Sequence, residues 1–275
     1  MSISAPRYAA GTVVRTGRGS RILAIASREF FRRARAATLL SVSLTFFVVV
    51  TVIVVTVFFA SLLGTANAGD FETVYESPVW PFLMLIVAAS AGAGSLADDV
   101  GDRSISLYLS RPVHLVDYVA AKTVACGGWL LISTVGPGLT GVAVTAALGY
   151  ASASVLLAAI AGFVATGFVA AVFFTGLALG LSSLTNRALY SGVAIFGVVL
   201  VLYIGGSIVA GITGNIYVPY ANPIENIRSV AHGAFGLSGT TATEPAASAV
   251  TLVGAGVVLW VFALWRMRRV EVISE

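Results

Sequence analysis

The sequence predicts an all-α integral membrane protein: six transmembrane helices preceded by a cytoplasmic amphipathic interfacial helix. Three observations lead there. Of the 275 residues, 58% are hydrophobic and only 10% are charged, with mean hydropathy +0.96, whereas ordinary soluble domains carry about 25% charged residues. Six apolar stretches are long enough to cross a bilayer core of roughly 30 Å. The basic residues gather on one side of the connections between those stretches. Barrel strands do not fit, because runs such as FFVVVTVIVVTVFFASLL (46–63) lack the apolar–polar alternation of a barrel.

Taken in order, residues 1–19 read as a disordered basic tail. SRILAIASREFFRRARA (20–36) reads as the interfacial helix. At 100° per residue Arg21, Arg28, Arg32 and Arg35 share one stripe, and Leu23, Ala26, Phe30 and Ala34 lie opposite. Arg33 and Ile25 fall out of phase. Such a helix lies in the interface with its arginines towards anionic headgroups. The six-span body covers 37–270, with spans expected near 38–63, 79–97, 120–148, 154–181, 189–212 and 246–265. The first apolar run is too long for the h-region of a cleavable leader, so none is expected.

With six spans, fifteen of the sixteen basic residues fall on one side, and only Arg228 lies on the other. Positive loops stay inside, so both termini are expected in the cytoplasm and the chain in the cytoplasmic membrane. No ionisable residue is expected between the span ends, with Lys122 at an interface. That argues against an ion-driven carrier or an intramembrane acid–base enzyme. No catalytic, cofactor-binding or metal-binding residue stands out. Cys126 is the single cysteine, and His114 and His232 are the only histidines. The span hydroxyls of Thr45, Ser133, Thr134, Thr166 and Thr175 are expected to bond between helices. GLALG (176–180) is a GxxxG pair, and GPG (136–138) marks a bend or a hinge in the third span.

Two connections carry polar detail. In 98–119, Asp98 and Asp99 close the second span and Asp102 suits the cap of a short helix. Ile105, Leu107, Tyr108 and Leu109 supply an apolar side, and Pro112 stops that helix. A short helix held by two spans at the cytoplasmic face is either a solvated connector or a surface for a cytoplasmic partner. In the outer loop 213–244, Asn222–Pro223 suits the start of a short helix, and Glu225, Arg228 and His232 share a face that reads as salt-bridged and exposed.

SLYLSRPVHLVDYVAAK (106–122) resembles the first cytoplasmic loop of the permease subunits of type-two ABC transporters. The likeness is carried by Leu107–Tyr108–Leu109–Ser110–Arg111–Pro112, by Asp117–Tyr118 and by Lys122. Ala121 stands where the family often has glycine. The layout from about 20 to 270 agrees with it. The resemblance implies a coupling helix that docks on an ATP-binding subunit, with Asp99, Asp102, Arg103, Leu107, Tyr108, Arg111 and Pro112 as coupling residues. It implies two ATP-binding subunits and a second permease, identical or a sister, with ATP and Mg bound by the ATPase and none by this chain. The absence of GxxxxGK[ST] fits that division, so the chain is not an enzyme by itself. The function expected is the permease of an ATP-driven exporter in the lipid bilayer, with no nucleic-acid partner. The alternative is a non-transporting scaffold that recruits a cytoplasmic protein through 98–119.

Overall fold

A computed structural model of the chain describes residues 17–102, 114–237, 239 and 241–273. Every regular element among them is helical: α1 (Arg18–Arg33), α2 (Ala36–Leu62), α3 (Gly69–Glu76), α4 (Val79–Gly92), α5 (Gly94–Gly101), α6 (Leu115–Ala147), α7 (Ala153–Ser182), α8 (Ala188–Thr213), a 3-10 turn (Val218–Ala221), α9 (Pro223–Ala234) and α10 (Pro245–Ile273). Six spans are long and apolar enough to cross a membrane: α2, α4 with α5, α6, α7, α8 and Pro245–Arg269 of α10. Alternation of six spans puts α1 and the far end of α10 at the same, basic end of the bundle.

Two span ends depart from the sequence expectation. The second span runs on to Gly101 and the third begins at Leu115, so Asp98, Asp99, Asp117 and Lys122 are helical. The apolar runs are shorter than the helices that carry them, because charged residues that find buried partners let a helix continue. With 33 residues, α6 is about 50 Å long and reaches beyond the hydrocarbon.

Close approach of backbones organises the interior. The GxxxG expectation is met. An added Cβ on Gly176 would stand 2.1 Å from the Gly256 carbonyl oxygen, so α7 and α10 touch backbone to backbone there. Around Pro137, α6 stays continuous. A Cβ on Gly138 would meet the Phe163 ring at 2.3 Å, and one on Gly136 would meet Phe46 at 2.6 Å. The GPG segment therefore seats neighbouring spans.

The hydroxyls mostly do not bridge helices. Thr45, Ser133 and Thr175 donate to the carbonyls four residues back in their own helices. Thr134 does cross, donating to Gly167 O at 2.9 Å, and buried Thr166 has no hydrogen-bond partner among the described residues. Each helix offers its own hydroxyl a carbonyl one turn back, and a hydroxyl crosses only where a neighbouring helix comes close, as Ser41 does to Ser90 at 2.9 Å.

At the opposite, acidic end, α3 and α9 cover the bundle. Asn222 caps α9 by accepting from the Ile224 and Glu225 amides at 3.0 and 3.3 Å. The expected single face of Glu225, Arg228 and His232 is divided. Arg228 lies 3.7 Å from Glu225 but also donates to the Tyr75 and Glu76 carbonyls at the end of α3. His232 turns to Glu72, with Nδ1 3.2 Å from Oε1. Phe163 of α7 and Phe235 meet edge to face at 5.1 Å beneath this cover. Burial raises the Glu72 carboxyl above the ordinary carboxylate range, although His232 pulls it back.

Candidate functional site

The candidate site is the basic end, where α1, the end of α5 and the start of α6 meet. Phe30 of α1 stacks on Trp129 of α6 with ring centroids 4.6 Å apart and planes 5° apart. Trp129 Nε1 donates to the Phe30 carbonyl at 3.1 Å. Gly128 allows this contact: a Cβ there would lie 3.1 Å from the Phe30 ring. Helix α1 is thus fastened to a span.

The face that α1 buries is turned from the expected stripe towards its charges: Ala26 is buried and Phe30 and Ala34 are half-buried as expected, but Glu29 and Arg33 are buried too and Leu23 is 64% exposed. The rotation has an electrostatic reason. Lys122 of α6 is 1% exposed and would be an uncompensated charge by itself. Its Nζ stands 2.9 Å from Glu29 Oε2 and 2.6 Å from Asp99 Oδ2 of α5. Tyr118 donates to the same Asp99 oxygen. Arg32 donates to Glu29 Oε2 through Nε and Nη2, at 3.1 and 2.9 Å, and Nη2 lies 3.7 Å from Asp99 Oδ1. Two carboxylates, one buried ammonium and one half-exposed guanidinium join three helices.

A second device shapes the strand of helix that leads to this cluster. The ladder between α4 and α5 is interrupted by buried Ser182 of α7. Its hydroxyl donates to Ala93 O at 2.7 Å and accepts from the Leu96 and Ala97 amides, both at 2.9 Å. An inserted side chain is a known cause of helix bending. Here it ties the aim of α5 to α7.

Of the coupling residues expected from the sequence, Asp99 is 3% exposed and committed to Lys122 and Tyr118. Asp102 ends α5 and is exposed. Arg103, Leu107, Tyr108, Arg111 and Pro112 lie outside the described residues. Among the interfacial arginines, Arg28 and Arg35 are exposed, Arg21 is half-buried and Arg32 belongs to the cluster. Lys122 sits two turns into α6, among charges brought by α1 and α5.

A family model described as ABC-2 family transporter protein matches residues 23–272, from within α1 to the end of α10. The chain belongs to that family. No curated protein matches it. The permease is the membrane subunit of an ABC transporter, in a family that is not itself catalytic. Among its described residues no group of three histidines, cysteines or acids is placed to hold a metal ion.

Sequence reasoning missed Glu29, Arg33 and Ser182 as members of this end of the permease. A signal existed for the first two: Glu29 is the lone acid in an arginine-rich segment, and Arg33 is out of phase with the other arginines. Ser182 left no signal, because nothing in a serine near a span end says which helix it will interrupt.

Proposed function

We propose that the permease is the membrane-spanning subunit of an ATP-driven exporter of the cytoplasmic membrane, with both termini in the cytoplasm. It works with a separate ATP-binding subunit in two copies and with a second permease, identical or a sister. The observation that carries this reading is the ionic junction of Glu29, Asp99 and Lys122. It closes both flanks of 103–113 onto α1, so a push on that segment is not absorbed by loose ends. Movement at the coupling segment becomes movement of α1, α5 and α6 together. Spans one, two and five then rearrange around the interface with the second permease. The part of α8 beyond Phe196 suits such an interface, since Val201, Ile204, Ile208 and Ile212 are exposed there. Outward direction rests on the resemblance of the layout to exporters.

Co-purification tests the reading. The wild-type permease should retain a P-loop ATPase and stimulate its hydrolysis. The triple variant Arg103→Ala, Tyr108→Ala, Arg111→Ala should lose that stimulation. A triple variant that assembles and stimulates normally defeats the coupling, and a wild-type chain that retains some other cytoplasmic protein favours the scaffold.

A further inference from the structure

Arg33 is 9% exposed, yet among the described residues its guanidinium has no hydrogen-bond or ion-pair partner. Arginine does not discharge itself by losing a proton, so burial leaves a charge that needs an anion. Burial lowers its pKa, and the charges of Glu29 and Asp98 only oppose that effect from a distance. The neighbouring carboxylates are otherwise engaged. Glu29 serves Arg32 and Lys122. Asp98 folds back over its own helix, with Oδ2 2.4 Å from where a Gly94 Cβ would be.

Arg33 lines a groove of about 600 Å³ between α1, the second span and α8. One end of the groove is polar, with Arg33, Arg35 and Asp98. The rest is apolar. Leu189, Val193 and Phe196 follow one face of α8 down from its first turn, opposite Ala89 and Ala93. From Ala188 to Phe196 that wall extends about 12 Å along the helix. Helix α8 begins there with no side-chain cap and no acid in its first turn, which adds positive potential at the same end.

We infer that this groove binds an anionic amphiphile drawn from the adjoining lipid leaflet, with its phosphate or other anionic head on Arg33 and Arg35 and its tail along Leu189, Val193 and Phe196. The charge balance favours an anion: two guanidiniums face one carboxylate. The apolar wall favours a tail over a free ion. Neither feature needs the ATP-binding subunit, so the site is testable on the permease alone and its failure leaves the exporter reading untouched.

The experiment is lipid retention by the full-length permease, purified, delipidated and offered phosphatidylglycerol, phosphatidylcholine or inorganic phosphate, with bound mass read by native mass spectrometry. The wild type should prefer phosphatidylglycerol. Arg33→Gln should weaken that binding about tenfold or more, as expected for loss of a charge-assisted hydrogen bond. Val193→Trp, at a 64% exposed position, should block the tail and weaken it without touching the charge. Arg268→Gln removes the same unit charge from α10 at the same end and should change it less than twofold. Several results overturn the inference. These are no preference over phosphatidylcholine, equal losses in Arg33→Gln and Arg268→Gln, unchanged binding in Val193→Trp, or full displacement of lipid by inorganic phosphate. The Val193→Trp comparison stands even if Arg33→Gln does not fold.

Discussion

At the scale of residues, the permease concentrates its risk in Lys122. Removing one partner of a buried ion pair leaves the others uncompensated, at a cost of about 3–5 kcal/mol. Lys122→Met should therefore lower the thermal midpoint of the detergent-solubilised protein sharply. Adding Glu29→Gln and Asp99→Asn to Lys122→Met should recover more than half of that loss, because the second and third changes remove the stranded charges. A Lys122→Met protein as stable as the wild type would mean that the junction carries no ionic load. Glu72 at the acidic end makes a different prediction. Its folded pKa is raised by burial, so the native state holds the proton more tightly than the unfolded chain does. Its stabilising contribution is complete below the unfolded pKa and is lost as pH rises through the folded one. Melts of the wild type should fall across that window, and melts of Glu72→Gln should fall less. Identical slopes would contradict the assignment.

At the scale of elements, helix direction depends on single groups that interrupt or admit a neighbour. Ser182→Ala leaves Ala93 O, Leu96 N and Ala97 N without their bridging hydroxyl. The expected loss is about 1–3 kcal/mol, read as a lower thermal midpoint, with faster proteolysis near α5. Gly176→Ala drives a Cβ towards the Gly256 carbonyl, whereas a Cβ on Gly254 meets nothing within 4 Å. Gly176→Ala should be clearly destabilising and Gly254→Ala neutral or slightly stabilising, because alanine favours the helix where space is free. Equal effects would deny that the GxxxG face is a backbone contact. The spans and the Asn222–Pro223 helix start were legible in the sequence, as they depend on local runs and caps. The rotation of α1 was not. Its apolar stripe is weak, and the charge that overrules it belongs to α6.

At the scale of the whole molecule, the basic end and its charged junction are set apart from the covered acidic end. A thiol placed by Ser110→Cys should react with membrane-impermeant reagents only after the cytoplasmic face is opened. The background is silent, because native Cys126 is buried. Labelling of intact cells would reverse the proposed orientation and remove the coupling scheme with it. What the amino-acid order determined by itself is the span count, the helical class and the one-sided distribution of positive charge. Each is a sum over neighbouring residues and survives ignorance of the neighbours in space. What only the tertiary structure decided is which charges meet. Glu29, Asp99 and Lys122 come from three separate helices, and Arg33 faces a groove while Glu29 pairs with Arg32 and Lys122. A buried charge takes its meaning from the nearest opposite charge in three dimensions, and sequence distance holds no record of that.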